Sequence, residues 1–364
     1  MASKWQDVAR LGQSIWYDNV ARPALESGLL AQLVADDAVT GGTSNPSIFA
    51  NAVEKSDLYD AEIRAAPNGA TVNEVFEAAA VSDIKRACDL MHPVWERSGG
   101  RDGFISLEVE ADLAFDAAGT VSRAHEVHAL VDRPNLMVKV PGTAPGVDAF
   151  RTLTRDGISV NVTLLFSISR YREIAEAYLE GLEARHAAGG DLSQLDSVAS
   201  FFVSRIDTKV DAQLPEGHAL RGTIAIANAK LAYVDVYGRV FSGVRWEALA
   251  AAGANVQRPL WASTSTKNPA YPATIYADNL IGPDTVDTVP DATLVAFRTE
   301  GTPARTIDAD VDVARRQLTD LAAAGVDLDA ITRELEDEGV RAFAAAYDGM
   351  LEAIAAKRVR VAAD

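Results

Sequence analysis

Short apolar or β-branched segments alternate along the chain with longer segments in which apolar residues recur at helical spacing. The short segments predict eight β-strands, at residues 14–18, 39–44, 104–109, 136–140, 159–165, 198–203, 259–263 and 286–289. The long segments predict helices at residues 23–34, 73–97, 167–187, 223–239, 247–253, 311–323 and 331–359. Pro93 is expected to kink or divide the second of these helices, because proline has no backbone donor.

Regular alternation of strands and helices, without a low-complexity linker, predicts an α/β fold. Eight repeats of this alternation favour a single (β/α)8 TIM barrel with extra C-terminal helices. A doubly wound open sheet with a separate helical domain is the alternative. We expect residues 1–364 to form one barrel domain, in which residues 311–364 are a helical extension that packs over the barrel mouth and helps to exclude water.

Lys139 interrupts an otherwise apolar strand, Leu136-Met-Val-Lys-Val140. A buried ammonium must be paired or lose its proton, and burial can lower a lysine pKa by several units from ~10.4. The neutral amine is then a nucleophile that can attack a ketone to form a Schiff base. An ion-paired lysine at a strand end is the alternative interpretation of this residue.

Polar residues in other strands supply further groups for carbonyl chemistry. Ser106, Glu108 and Glu110 share one face of the third strand. The two glutamates either transfer protons or pair with Lys139 or an arginine. Other polar residues near predicted strand ends are Asp18, Asn45, Asn161, Thr163 and Ser200. Catalytic groups of TIM barrels lie at this end of the strands, and nothing in this set needs a metal.

Two basic residues indicate a phosphate site. Arg205 follows the sixth strand, and Lys267 lies in the loop after the seventh. Phosphate groups often bind at the loops after the seventh and eighth strands of such barrels, and arginine binds anions in a bidentate manner. The alternatives are that Arg205 caps a helix or contacts Asp207, and that Lys267 is an exposed loop charge.

Charge and cysteine content exclude several classes of protein. The 364 residues include 52 Asp and Glu against 34 Lys and Arg, which gives a net charge of −18 and argues against nucleic-acid binding. A locally basic pocket can still attract a small anion. Cys88 is the single cysteine, which precludes an intrachain disulfide and fits a cytoplasmic location. No run of apolar residues is close to the length of about eighteen residues that a membrane helix needs. The N-terminus also lacks a signal-peptide pattern, and we therefore expect no membrane partner.

Six ordered motifs, spread over nearly the whole chain, resemble those of the transaldolase family. They are Trp16-Tyr-Asp18, Thr43-Ser-Asn-Pro-Ser-Ile-Phe49, Ser106-Leu-Glu-Val109, Asn135-Leu-Met-Val-Lys-Val-Pro141, Asn161-Val-Thr-Leu-Leu-Phe-Ser167 and Ser200-Phe-Phe-Val-Ser-Arg-Ile206. The segment Trp261-Ala-Ser-Thr-Ser-Thr-Lys-Asn-Pro-Ala-Tyr271 resembles the longer bacterial form. The resemblance implies a cofactor-free barrel of the non-oxidative pentose phosphate pathway. Its sugar-phosphate substrates would be sedoheptulose 7-phosphate and glyceraldehyde 3-phosphate, and it would produce erythrose 4-phosphate and fructose 6-phosphate.

The resemblance also implies a role for each matching residue. Lys139 would form the Schiff base, and Asp18 would take and return the proton of the C4 hydroxyl group. Glu108, with Thr163, would activate a water for imine formation and hydrolysis. Desolvation of the pocket would keep water from releasing the bound three-carbon unit. The substrate-binding matches are Asn45, Asn161 and Ser200 for hydroxyl groups, and Arg205 and Ser263 for the phosphate.

One position departs from the family pattern. The pattern of the shorter transaldolases has Ser-Phe-Arg where this chain has Ser263-Thr-Ser265, so the arginine is absent here. Our hypothesis is that Lys267 is the replacement cation. A fructose 6-phosphate aldolase-type lyase is the alternative enzyme, although Glu108 and the long C-terminal segment favour the transferase. A catalytically silent barrel is the third hypothesis. A homodimer is compatible with the sequence.

Overall fold

A computed structural model describes residues 3–363, which form a closed barrel of eight parallel strands surrounded by helices. The strands follow one another around the barrel in chain order, and the last strand pairs with the first. They are β1 (Gln13–Tyr17), β2 (Val39–Thr43), β3 (Ile105–Glu108), β4 (Leu136–Pro141), β5 (Val160–Leu165), β6 (Ser197–Phe202), β7 (Gln257–Ala262) and β8 (Thr285–Val289). The predicted barrel is thereby confirmed, and the open-sheet alternative was wrong.

Helices fill the connections between the strands and extend beyond the last strand. They are α1 (Lys4–Arg10), α2 (Arg22–Glu26), α3 (Leu29–Asp37), α4 (Pro46–Lys55), α5 (Asp60–Ala65), α6 (Val72–Arg97), α7 (Ala117–Val131), α8 (Ala144–Asp156), α9 (Ile168–Ala187), α10 (Ser204–Asp211), α11 (Ile224–Ala232), α12 (Gly238–Val240), α13 (Val244–Ala251), α14 (Ile275–Asn279), α15 (Asp291–Glu300), α16 (Val311–Ala323) and α17 (Leu328–Ala363). A 3₁₀ turn covers Ala111–Phe115, and a π turn covers Tyr233–Tyr237. No helix within residues 3–363 is long and apolar enough to cross a membrane.

Three predicted helices differ from the observed ones in their continuity. The helix predicted at 23–34 is two helices, α2 and α3, separated at Gly28, whose φ of 75° does not fit a right-handed helix. Pro93 does not divide α6, which continues through it and ends at Arg97. The segment predicted at 223–239 stays helical but contains the π turn.

Strand register brings the polar residues of three neighbouring strands to one level of the barrel. Glu108 of β3 pairs with Lys139 of β4, and Lys139 pairs in turn with Asn161 of β5. Because alternate residues of a barrel strand point inward, three side chains at one level converge on the interior. The site is therefore assembled directly by the hydrogen-bonding register of the sheet.

The long helix α17 packs against α4, α5, α6 and α10 and contacts the end of β5. Met350 and Ile354 of α17 share an apolar cluster with Phe49 and Tyr59. Gly339 of α17 approaches the side chain of Leu164 so closely that a Cβ atom there would lie 2.9 Å from Leu164 Cδ2. The glycine therefore permits α17 to approach the C-terminal ends of the barrel strands.

Candidate active site

A cavity of about 340 Å³ opens at the C-terminal ends of the strands. Its wall is formed by strand ends, by the loops that follow them, and by three residues of α17, namely Ala342, Phe343 and Ala346. Eight of the ten site residues expected from the sequence line it: Asp18, Asn45, Lys139, Thr163, Ser200, Arg205, Ser263 and Lys267. The other two, Glu108 and Asn161, contact residues of this wall from behind.

Lys139 lies at the centre of the site. Its side chain is 8% exposed, and its ammonium group donates a hydrogen bond of 3.4 Å to Glu108 Oε2. The Nζ atom also lies 5.3 Å from the ring centroid of Phe343. A lysine held this way, buried at the floor of an open cavity with one carboxylate beside it, has the surroundings of an amine nucleophile.

Glu108 is a buried acid with a pKa close to neutral pH. Burial raises its pKa to about 7, the charge of Asp18 adds to this increase, and Lys139 opposes it. The side chain borders a second, largely apolar cavity, lined among others by Phe76 and Tyr347. Glu108 can therefore exchange a proton beside Lys139, as a group with a pKa close to the working pH does best.

Asp18 follows β1 and is held by a threonine of the next strand. Thr43 Oγ1 donates a hydrogen bond of 2.6 Å to Asp18 Oδ1, and Thr288 Oγ1 lies 3.1 Å from Thr43 Oγ1. Burial raises the pKa of Asp18, while Thr43, Lys139 and Lys267 counteract this effect. The carboxylate is thus fixed in orientation by one oxygen, which leaves its other oxygen free to move a proton.

The polar residues of β5 and β6 form two layers. Ser200 lines the cavity and donates a hydrogen bond of 2.7 Å to Asn161 Oδ1. Asn161 is fully buried beneath it and donates to Ser106 Oγ at 3.0 Å. Thr163 is a residue of the cavity wall, and its buried hydroxyl group has no hydrogen-bond partner among residues 3–363. Leu164, with a φ of 62°, puts a bulge in β5 immediately after Thr163.

Asn45 lines the cavity from the start of α4. Its Oδ1 caps that helix by accepting a hydrogen bond of 3.1 Å from the backbone of Ile48. The cap explains why Asn-Pro stands here, because asparagine is preferred at the N-cap and proline in the first turn. With its oxygen used by the helix, the amide nitrogen of Asn45 remains as a donor for a substrate hydroxyl group.

Two cations face one side of the cavity. Arg205, in the first turn of α10, lies over the ring of Phe202, with 5.3 Å from its guanidinium carbon to the ring centroid. Lys267 Nζ donates to Ser265 Oγ at 2.5 Å. Burial lowers the pKa of both groups, and the charge of Arg205 further lowers that of Lys267. Within the described part of the chain, neither cation forms a salt bridge with a carboxylate, so an anion bound between them would relieve their repulsion.

Ser263 completes this side of the cavity. It has a φ of 56°, and its hydroxyl group lies 3.0 Å from Ser204 Oγ. The left-handed backbone ends β7 and turns the following loop, which carries Lys267, toward α10. Strained conformations of this kind are common at ligand-binding sites. Within residues 3–363, Arg205 neither caps α10 nor forms a salt bridge with Asp207, whereas Lys267 is an exposed loop residue, as its alternative had it, that also lines the cavity.

Some residues of the site were missed from the sequence, and one candidate lies elsewhere. Glu110 has the same parity as Glu108, but β3 ends at Glu108, and Glu110 instead pairs with Arg123 at 2.9 Å. Thr43 lay within a recognised motif, although no role was assigned to it. Phe343 lies far away in the sequence, on a helix whose pattern carries no sign of the site. Thr288 and Phe202 are further wall residues that were not predicted.

The site combines an amine nucleophile, two acids of raised pKa and a paired cationic region. An amine next to a proton donor can condense with a ketone, and a second acid can move the proton of a neighbouring hydroxyl group. Two cations on one side of the cavity favour the binding of a phosphorylated substrate. The arrangement therefore suits covalent amine chemistry on the carbonyl group of an anionic sugar.

Comparison with known proteins agrees with this chemistry. The family model described as Transaldolase/Fructose-6-phosphate aldolase matches residues 15–354. A protein named Transaldolase from Thiobacillus denitrificans is 50% identical over 355 residues, which cover 96% of this chain and 99% of that protein. Proteins of the same name from Frankia alni and Thermobifida fusca are 45% and 46% identical, covering 100% and 98% of this chain and 100% and 98% of their own lengths.

Proposed function

This chain belongs to the transaldolase/fructose-6-phosphate aldolase family, and from that premise we propose that it is a transaldolase acting through a Schiff base on Lys139. It transfers a dihydroxyacetone unit from sedoheptulose 7-phosphate to glyceraldehyde 3-phosphate, giving erythrose 4-phosphate and fructose 6-phosphate in the non-oxidative pentose phosphate pathway. The observation that carries the proposal is the buried Lys139 amine, 3.4 Å from Glu108 on the floor of a cavity with two cations on its wall.

Bond formation starts with attack of Lys139 Nζ on the C2 carbonyl carbon of the ketose. Loss of water from the resulting carbinolamine requires a proton for the leaving hydroxyl group, and Glu108, with a pKa of about 7, supplies it. The same pair runs in reverse when the product imine is hydrolysed. Thr163, whose hydroxyl group has no other hydrogen-bond partner among residues 3–363, holds the water with Glu108.

Asp18 carries the proton of the cleavage step. It removes the proton of the C4 hydroxyl group, the C3–C4 bond breaks, and the electron pair moves into the protonated imine to give an enamine. The aldehyde leaves, and the three-carbon unit stays on Lys139. When an acceptor aldehyde arrives, the enamine attacks its carbonyl carbon and Asp18 returns the proton. The role is supported by the hydrogen bond from Thr43, which fixes the Asp18 carboxylate.

Hydroxyl groups and phosphate of the substrate are held by the remaining wall residues. Asn45 and Ser200 bind hydroxyl groups, and the buried Asn161 acts on them through its hydrogen bond with Ser200. Arg205 and Lys267 bind the phosphate with help from Ser263. The role of Lys267 is supported by its place in the same cavity wall as Arg205, whose charge lowers the pKa of Lys267.

Residues 311–364 are part of the same working unit in this proposal, because α17 contributes Phe343 to the cavity wall. The proposal also includes a cytoplasmic location and assembly as a homodimer. Light scattering on the purified protein tests the second point: a mass of twice 38.7 kDa supports it, and the monomer mass contradicts it.

Product analysis tests the activity itself. With fructose 6-phosphate and erythrose 4-phosphate, we expect sedoheptulose 7-phosphate and glyceraldehyde 3-phosphate to form at equal rates. Without an acceptor, free dihydroxyacetone should appear far more slowly. Rapid release of dihydroxyacetone irrespective of acceptor would identify a lyase instead, and the absence of any product would indicate a silent barrel.

A further inference from the structure

The aromatic ring of Phe343 is brought to Lys139 by a helix outside the barrel. The Lys139 Nζ atom lies 5.3 Å from the ring centroid, and the neighbouring wall residues from α17, Ala342 and Ala346, are small. The wall near the amine is otherwise rich in polar side chains, including Asp18, Thr163 and others named above. Phe343 is thus the large apolar side chain with which α17 covers this part of the cavity.

We propose that Phe343 determines specificity between transfer and release, by excluding water from the three-carbon unit bound to Lys139. This inference rests on the proposed function. After the first aldehyde has left, two outcomes compete at the same intermediate. In transfer, the enamine carbon forms a bond to the acceptor aldehyde, whose oxygen takes the proton from Asp18. In release, the enamine carbon takes a proton, water adds to the imine carbon, and the carbon–nitrogen bond breaks to give dihydroxyacetone and the free amine.

The two outcomes differ in the step that the three-carbon unit undergoes first, hydrolysis or carbon–carbon bond formation. Hydrolysis needs a water molecule on one face of the imine carbon, whereas transfer needs only the acceptor. An apolar ring held against that face replaces water by a group that cannot attack or hydrogen-bond to it. The ring face also favours a neighbouring positive charge, and the protonated imine is such a cation. Phe343 therefore disfavours hydrolysis without weakening the covalent intermediate.

Contacts on both sides of Phe343 hold the ring in position. Before it on α17, Glu334 and Glu338 accept hydrogen bonds of 2.8 and 2.6 Å from Lys209 of α10. After it, the Tyr347 hydroxyl group donates to Asn73 at the start of α6. Helix α17 is thus attached to two different barrel helices across the residue that covers Lys139.

Further along α17, a buried lysine adds a third attachment. The Lys357 side chain is 2% exposed, and its Nζ lies 2.8 Å from Asp60 and donates to the backbone oxygen of Val53 at 3.1 Å. A buried charge satisfied in this way is costly to displace. The helix that carries Phe343 is therefore held over the cavity by contacts on both sides of that residue.

Two replacements with side chains similar in shape to each other separate water exclusion from simple space filling. Phe343→Leu keeps an apolar side chain at this point, and Phe343→Asn places a polar side chain there. Phe343→Ala removes the cover altogether. Val359→Ala, on the same helix at a side chain that is 74% exposed, is the matched control. For each protein, the measured quantity is the rate of dihydroxyacetone release from fructose 6-phosphate divided by the rate of transfer to erythrose 4-phosphate.

We expect this ratio to rise by about tenfold or more in Phe343→Ala and Phe343→Asn, because water then reaches the imine. Phe343→Leu should change it by less than about threefold, and Val359→Ala should leave it unchanged. Equal ratios in the Leu and Asn variants would overturn the inference, as would release and transfer falling in parallel in every Phe343 variant. Failure of the unmodified protein to transfer would instead refute the proposed function.

Discussion

Glu108 Oε2 lies 3.4 Å from Lys139 Nζ, and the two residues are directly paired neighbours in adjacent strands of the barrel. The acid that handles the water of imine chemistry is therefore fixed beside the amine by the sheet itself. Both side chains are 8% exposed, so their interaction is shielded from bulk solvent. This pairing leads to a specific pH dependence.

Replacing Glu108 by Gln removes the proton donor for loss of water. We expect the rate of Schiff-base formation to fall by about 10²- to 10⁴-fold, the usual contribution of general acid catalysis. Burial raises the pKa of Glu108 to about 7, so in the unmodified enzyme this rate should fall as the pH rises through about 7 and the acid loses its proton. Timed borohydride quenching measures both rates; a decrease with the same midpoint in Glu108→Gln would contradict the assignment.

The cationic side of the cavity predicts a change in substrate affinity. Lys267→Met should raise KM for phosphorylated sugars by about tenfold to a hundredfold, which is the usual contribution of a hydrogen bond to a charged group. The same change should lower kcat much less. Kinetics with phosphorylated and unphosphorylated sugars separate this effect from general damage. Lys55→Met, which alters an exposed lysine of α4, is the matched control. An unchanged KM in Lys267→Met would refute the role.

Much of the fold follows from local pattern. The alternation of apolar segments and helical periods predicted all eight strands, each within two residues at either end. The period of two also grouped Glu108 with Ser106 on one face of the third strand. The errors are local: Gly28 divides a helix through its left-handed backbone, and α6 continues through Pro93 to Arg97.

The parts of the site that were missed depend on tertiary packing. Phe343 reaches Lys139 only because Gly339 lets α17 approach β5, a contact between segments far apart in the sequence. Glu110 matched the parity of Glu108, but the strand ended first and Arg123 paired with it. The alternation of residues assigns a side chain to one face of the sheet only as far as the strand continues, and the sequence does not show where the strand ends.

Asp287 predicts a pH-dependent stability that is unrelated to the reaction. It is fully buried in β8 and accepts a hydrogen bond of 3.0 Å from Thr264, and burial raises its pKa to about 7. Between the unfolded pKa of ~3.9 and about 7, the native state binds more protons than the unfolded state, so the free energy of unfolding falls as pH rises. Asp287→Asn cannot ionise and should remove this fall, gaining up to roughly 1.4 kcal/mol for each pH unit relative to the unmodified chain.

Urea unfolding at several pH values measures this gain. Asp235→Asn is a control of opposite sign, because Arg315 holds the pKa of Asp235 below its usual value. The unmodified Asp235 stabilises the native state at neutral pH and loses that contribution as the pH falls through its native pKa. Asp235→Asn should therefore become relatively less stable as pH rises. A constant difference between Asp287→Asn and the unmodified chain would contradict the assignment of a raised pKa.

Covalent trapping identifies the lysine that forms the Schiff base. The protein is incubated with fructose 6-phosphate, reduced with borohydride, digested and mapped by peptide mass. We expect a reduced three-carbon unit on the peptide that contains Lys139, and loss of that adduct and of sugar transfer in Lys139→Met. In Lys267→Met the adduct should keep its position. An adduct on a different lysine, or sugar transfer that persists in Lys139→Met, would contradict the role of Lys139.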